Sequence, residues 1–242
     1  MTKRNMQKKS SKKLIVDILS IFPEMFPGYV EASIIGRAQR SGLLRISSHQ
    51  LRDWTHDKHN KVDDRPYGGG PGMVMKVEPF HEALVALKLR TKKGAKTAAG
   101  KKVRVILTSA KGKMFTQKDA IRLSKINRLV FLCGRYEGVD ERVAKKLADE
   151  ELSIGPYVLT GGELPALVMI DAISRLRSGV LGKAESLSEE SHATPGILEY
   201  PQYTRPENYL GGKVPKQLLT GHHADIAAWR KWVMRGGDES AT

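Results

Sequence analysis

Apolar residues fall along this chain in short bursts separated by amphipathic stretches. The bursts at 14–18, 43–47, 103–108, 129–133 and 157–159 are rich in Leu, Val and Ile, which predicts strands. Between and beside them, apolar positions at helical spacing predict helices over 26–41, 79–90, 116–125, 143–148 and 165–177. Strands alternating with helices indicate an α/β architecture with a mostly parallel sheet. Residues 91–102 are rich in Lys, Ala and Gly and read as an exposed loop, and no internal repeat is visible. After 182 the pattern fades. Residues 183–195 are polar, with Ser and Glu in plenty, and read as a flexible linker. The rest, 196–242, shows short turns and one helix around 225–233, a small and mostly helical C-terminal domain.

Two glycine turns stand out. The predicted strand 157–159 runs into Gly161-Gly162, and a helix follows with Pro165 in its first turn, where a missing N–H costs nothing. A second turn, Gly134-Arg135-Tyr136-Glu137-Gly138, follows the burst 129–133. Glycines let a ligand lie against bare backbone, so the pair suggests one ligand held by main-chain groups.

With 242 residues, one or two domains with a proper core are expected. The formal net charge is +15, which points to a polyanionic partner, because lysine and arginine gain by releasing counterions from phosphates. Cys133 is the single cysteine and sits in an apolar run, so no intrachain disulfide forms, in keeping with a reducing cytoplasm. No apolar stretch has membrane-spanning length. Residues 1–13 hold six lysines and arginines ahead of an apolar stretch, a superficial likeness to a secretion signal. Asp17 interrupts that stretch and no small-residue cleavage site follows, so 1–13 read as a disordered basic extension, with a transit peptide as the lesser alternative.

From His56 to Gly72, histidines, carboxylates, an arginine and a glycine-rich loop are mixed. Backbone N–H groups of such a loop suit phosphate or carboxylate oxygens. No Gly-Lys-Ser/Thr follows, so this is not a Walker loop. His56 and His59 without further ligands do not make a zinc site, and no metal site is expected. The last segment offers Tyr203, Arg205, His222, His223, Trp229 and Arg230, a mixture that suits RNA, although Tyr203 and Trp229 equally suit the core of so small a domain.

Five long motifs in order carry a resemblance: Ile21-Phe22-Pro23-Glu24-Met25-Phe26, the run from Asp63 to Met73, Gly134 to Arg142, 153–182, and Tyr203-Thr204-Arg205-Pro206-Glu207. From 15 to about 230 the chain resembles the bacterial tRNA (guanine-N1)-methyltransferases. The resemblance implies a parallel-sheet SPOUT fold with a deep trefoil knot in 14–182. It implies a homodimer, and methylation by S-adenosylmethionine of the guanosine 3′ to the anticodon, position 37. The sequence neither calls for nor rules out Mg²⁺ beside that cofactor. By motif, cofactor contacts fall on Leu107, Ser109, Gly134, Glu137, Ile154, Gly155, Pro156, Tyr157, Val158, Leu159, Gly161 and Gly162. His59, Asp63, Arg65 and Gly72 would hold the anticodon stem-loop and target base, with Arg205, His222 and His223 as further RNA contacts.

Guanine N1 carries a proton at neutral pH, so a base must remove it, and a cation near O6 should stabilise the developing charge. The resemblance assigns the base to Glu190, where better-known members have Asp, with Glu189 as the neighbouring alternative. Read from the residues alone, these are solvated linker charges. Arg175 matches the family's essential arginine; read alone, it is an i, i+4 partner for Asp171. Three departures stand out. Pro156 replaces an acidic residue, Thr108 to Gly112 replace a Ser-Pro-Gln-Gly, and the chain stops sooner after Trp229-Arg230. The competing readings are a knotted ribosomal-RNA methyltransferase and a non-catalytic RNA-binding protein.

Overall fold

The computed structural model describes residues 13–181, 190–192 and 196–237. The chain divides into two compact units, Met1–Gly182 and Lys183–Thr242. The expected basic extension, apart from Lys13, and most of the expected linker, Glu189 included, lie outside the described residues.

In the first unit, β1 (Leu14–Ser20), β2 (Leu44–Gln50), β5 (Arg104–Met114), β6 (Arg128–Cys133) and β7 (Glu150–Ser153) form one sheet in the order β2-β1-β6-β5-β7. Every neighbouring pair is parallel. Helices cover both faces, which explains strands that read as nearly continuous apolar runs. One face packs Val16, Ile18 and Phe131 against α2 (Ser33–Arg40), α4 (Gln117–Ser124) and α5 (Glu163–Ser174). The other packs Val105, Leu107 and Leu132 against α3 (Val77–Ala86) and a π-type turn, Val143–Leu147. Asp17 is the buried exception on β1. His49 bonds it at 2.9 Å and Arg128 at 2.9 Å.

Several expected elements differ. The helix over 26–41 is two, α1 (Pro27–Val30) and α2, because Ala32 is extended and Ser33 has φ 45°. Gly36 makes that break feasible, since a Cβ there would lie 1.9 Å from the Glu31 carbonyl oxygen. The helix over 79–90 stops at Ala86, where Lys88 adopts φ 60° and Leu89 N–H donates to Leu84 O. The helix over 165–177 is α5, which begins two residues sooner and ends at Ser174. The strand over 157–159 is absent. Those residues are exposed loop, Tyr157 by 53 % and Val158 by 86 %. The fifth strand is instead β7, masked in sequence by Glu150 and Glu151. Glu150 is accommodated by Arg122, at 2.8 and 2.6 Å, and by Arg104 at 3.3 Å.

Two short strands, β3 (Asp63–Asp64) and β4 (Val74–Met75), form a hairpin enclosing the glycine-rich loop. The second unit is less helical than expected. It carries α6 (Lys216–Leu219) and α7 (His223–Met234), together with an unexpected hairpin, β8 (Asn208–Tyr209) and β9 (Gly212–Lys213). The hairpin turns through Leu210 and Gly211, both at positive φ, the backbone of a primed turn. Trp229 and Tyr200 are buried there, with the Arg230 guanidinium 4.6 Å over the Tyr200 ring. Tyr203 stays exposed.

Candidate active site

The carboxyl ends of β5, β6 and β7 meet at one edge of the sheet, the place where open parallel sheets bind ligands. After Thr108, β5 makes an excursion and resumes pairing at Lys113, so that Thr108 and Lys113 both oppose Leu152. Gly112 passes so close to β7 that a Cβ would lie 2.7 Å from the Glu151 carbonyl carbon. This excursion, the loop after β6 and the loop after β7 surround a cavity of about 380 Å³. That volume lies in the small-molecule range of roughly 300–1,000 Å³.

Eleven of the twelve residues matched to cofactor contacts line this cavity: Leu107, Ser109, Gly134, Glu137, Ile154, Gly155, Tyr157, Val158, Leu159, Gly161 and Gly162. Pro156 does not. It is exposed, between Gly155 and the Tyr157 whose ring packs against that glycine.

The glycines also serve packing. A Cβ on Gly161 would lie 2.2 Å from Arg135 Nε, and one on Gly162 would lie 2.1 Å from Thr108 Oγ1 and 2.9 Å from Cys133 Cα. A Cβ on Gly155 would meet the Tyr157 ring at 2.0 Å. Close packing of protein groups therefore requires these glycines, and the loops are drawn together as a result. Gly162 N–H donates to Gly134 O at 2.9 Å.

A buried network that the sequence did not announce fixes the wall. Glu163, fully buried in the first turn of α5, accepts from Ser20 Oγ at 2.6 Å and from Arg135 Nε at 2.9 Å. Arg135 also donates to Thr160 O at 3.2 Å, contacts Met25 Sδ at 3.0 Å and lies 4.7 Å over the Phe22 ring. The signal was present in sequence only as an arginine after a turn glycine and a glutamate opening a helix, both common surface residues.

The cavity is rich in carboxylates, with Glu137, Glu141 and Glu151 in its lining. Glu151 Oε1 is shielded from water and has no hydrogen-bond partner among the described residues. A shielded acceptor of this kind calls for a donor from a ligand. Lys111 is held above its usual amine range chiefly by its hydrogen bond to Glu141, which outweighs burial, with the charges of Glu151 and Glu141 adding to it. Cys133 borders the site at the end of β6, but burial and the nearby Glu163 charge push its thiol well up, so it is no nucleophile.

The glycine-rich loop abuts the cavity. Gly68, Gly69, Gly70 and Gly72 all adopt φ between 78° and 117°. Gly72 packs against the Glu137 side chain, and Glu137 N–H donates to Met73 O at 3.1 Å. Met75 N–H donates to Gly138 O at 2.9 Å. Around Gly68–70 there is open space. His59 and Arg65 are exposed on the same segment, and Asp63 is half-buried on β3. Arg205, His222 and His223 are exposed on the second unit.

Arg175 is the C-cap of α5, with its N–H on Asp171 O at 3.1 Å, and it is not among the cavity-lining residues. The whole of α5, twelve residues or about 18 Å, separates it from the glycines that open the helix. Glu190 is half-buried in the second unit.

A family profile described as tRNA (Guanine-1)-methyltransferase TrmD matches residues 14–237. Curated relatives bear the name tRNA (guanine-N(1)-)-methyltransferase. One from Ruminiclostridium cellulolyticum is 52 % identical over 88 % of this chain and 88 % of its own length. One from Dictyoglomus turgidum is 53 % identical over 90 % of this chain and 84 % of its own. One from Heliobacterium modesticaldum is 50 % identical over 89 % and 78 %.

Proposed function

The chain belongs to the tRNA (guanine-1)-methyltransferase family, and from that premise we propose how its geometry carries the reaction on the guanosine 3′ to the anticodon. It methylates guanine N1 in tRNA. The single observation that carries the site-level reading is the cavity at the strand ends, lined by eleven of the matched residues.

The donor set suits S-adenosylmethionine. Three carboxylates line the cavity, and the orphaned Glu151 Oε1 is complementary to a cationic ligand or to its hydroxyl and amino donors. That cofactor, when bound, supplies an electrophilic methyl group. Leu107, Ser109 and the loop from Ile154 to Leu159 would flank it, with Gly134, Gly161 and Gly162 setting the backbone path. The parallel sheet, the β5 excursion and the tight passage of Gly112 against β7 support a trefoil knot built from these loops.

Glu190 takes the N1 proton, and Arg175 stabilises negative charge developing at O6. His59, Asp63, Arg65 and the loop through Gly72 hold the anticodon arm beside Glu137, with Arg205, His222 and His223 gripping it from the second unit. Arg175 lies a full helix from its own chain's cavity, which supports a homodimer in which it serves the partner's cavity. Exposed apolar side chains support the same assembly. Leu164 and Val168 form an i, i+4 stripe on α5, and Phe22, Met25 and Tyr29 are exposed beside it. Arg135 and the Tyr29–Asp171 interaction join the two groups.

The test is methyl transfer to tRNA transcripts that differ only at the nucleotide after the anticodon. Guanosine should be methylated and adenosine should not. Equal transfer to both would refute the assignment.

A further inference from the structure

Residues 88–104 hold eight lysines and arginines and no acid. A solvated charge run needs no scaffold, yet this one is folded. Thr91 N–H donates to Ala95 O at 2.8 Å, and Gly94 N–H to Thr91 O at 2.8 Å. Thr97 Oγ1 donates to Lys88 O at 2.6 Å and accepts from Gly100 N–H at 3.0 Å. Gly100 is buried against Leu89, where a Cβ would lie 2.1 Å from the carbonyl oxygen. Arg90 is buried beneath, donating to Leu147 O at 2.6 Å and paired with the buried Asp149, which Lys96 also contacts.

This arrangement sorts the charges. Arg90, Lys96 and Arg104 are engaged by Asp149 and Glu150. Lys88, Lys92, Lys93, Lys101 and Lys102 are exposed and form no ion pair with the described residues. They sit at the amino end of β5, whereas the cavity lies at Leu107 and beyond. Five residues of chain, the last four of them strand, run from Lys102 to Leu107, roughly 16 Å when extended. The platform therefore lies apart from the cavity lining.

We propose that this lysine platform is a second RNA-contact surface, which binds backbone phosphates of the tRNA outside its anticodon arm. It rests on the tRNA-methyltransferase reading. A rigid array of unpaired ammonium groups suits phosphates spaced along a helical stem, because each contact releases counterions and none reads a base. Its contribution belongs to capture of the whole tRNA and not to the chemical step.

The test replaces all five lysines by glutamine in the full-length protein and compares it with the wild type and with a five-fold lysine-to-arginine variant. Two RNAs are used, the complete tRNA and an isolated anticodon stem-loop. For complete tRNA the glutamine variant should show at least a tenfold higher Kd. Its log–log salt slope should fall by about 3.5 to 4.5, at roughly 0.7–0.9 for each of five phosphates. The arginine variant should keep both, and stem-loop affinity, saturating kcat and cofactor Kd should be unchanged. Unaltered affinity and salt slope for complete tRNA would overturn the proposal. An equal loss on the stem-loop would also overturn it, by placing the platform on the anticodon arm. If the wild type itself neither bound nor methylated tRNA, the functional reading would fall instead.

Discussion

Two carboxylates divide the work of the proposed site, and each can be tested alone. Glu190→Gln keeps size and removes the base. Single-turnover methylation should slow by about 10²- to 10⁴-fold, the range of a positioned general base, while calorimetry should find cofactor binding nearly intact. A wild-type rate would move the role to Glu189. Glu151→Gln should do the reverse. Losing the carboxylate whose Oε1 has no hydrogen-bond partner among the described residues should raise the cofactor Kd about tenfold or more, from the ~1.5–3 kcal/mol of a hydrogen bond to a charged group. An unchanged Kd would mean that Glu151 faces water when the cofactor is present. At this scale the motifs named residues that the fold brings to the cavity lining, Gly134 and Ile154 among them, and also Pro156 and Arg175, which it does not. The sequence was illegible wherever function depends on packing. Gly161 and Gly162 were read as room for a ligand, and their missing Cβ atoms also make room for Arg135 and Thr108. The orphan at Glu151 depends on what β5 and β7 bring together, which no local pattern encodes.

Among the elements, α4 offers a stability prediction with a definite sign. Thr116 and Asp119 form a capping box, and Lys113 and Arg122 each bond Asp119 at 3.0 Å. Burial alone would raise that carboxyl, but the hydrogen bonds from Lys113, Arg122 and Thr116 outweigh it and bring it down to about 2. The folded value lies below the ordinary 3.8, so the stabilisation is complete above about pH 4 and is lost as pH falls from there toward 2. Asp119→Asn should cost on the order of 1–2 kcal/mol at neutral pH in urea melts and flatten the acid limb. A variant with the wild-type acid limb would assign the capping energy elsewhere. Hydropathy located β1, β2, β5 and β6 because each carries a burst of Leu, Val or Ile that packs into the covered faces of the sheet. It missed β7 because Glu150 and Glu151 look like surface, and only Arg104 and Arg122, remote in sequence, make Glu150 tolerable there. It assigned a strand to 157–159, which is instead an exposed loop at the cavity.

For the whole molecule, the helix-length separation of Arg175 from its own cavity makes a prediction about mixed dimers. Gly161→Val, which forces Arg135 out of place, and Arg175→Ala should each be inactive alone. Mixed subunits should recover up to a quarter to a half of wild-type activity, because one composite site joins an intact cavity to an intact arginine. No recovery despite demonstrated subunit exchange would put both residues in one chain's site. The Ser20–Glu163–Arg135 network carries a further consequence. Arg135 holds the cavity wall through Thr160 and Glu163, and it holds the exposed apolar face through Met25 and Phe22. If subunits pair through that face as proposed, one side chain belongs to two equilibria, occupancy of the cavity and pairing of subunits. Free energies coupled through a shared group act reciprocally. Cofactor affinity should therefore weaken on dilution below the dimer dissociation constant, and saturating cofactor should lower that constant by the same factor once for each of the two sites. In a cell, this would make the abundance of the protein itself a control on how readily it is charged with its methyl donor.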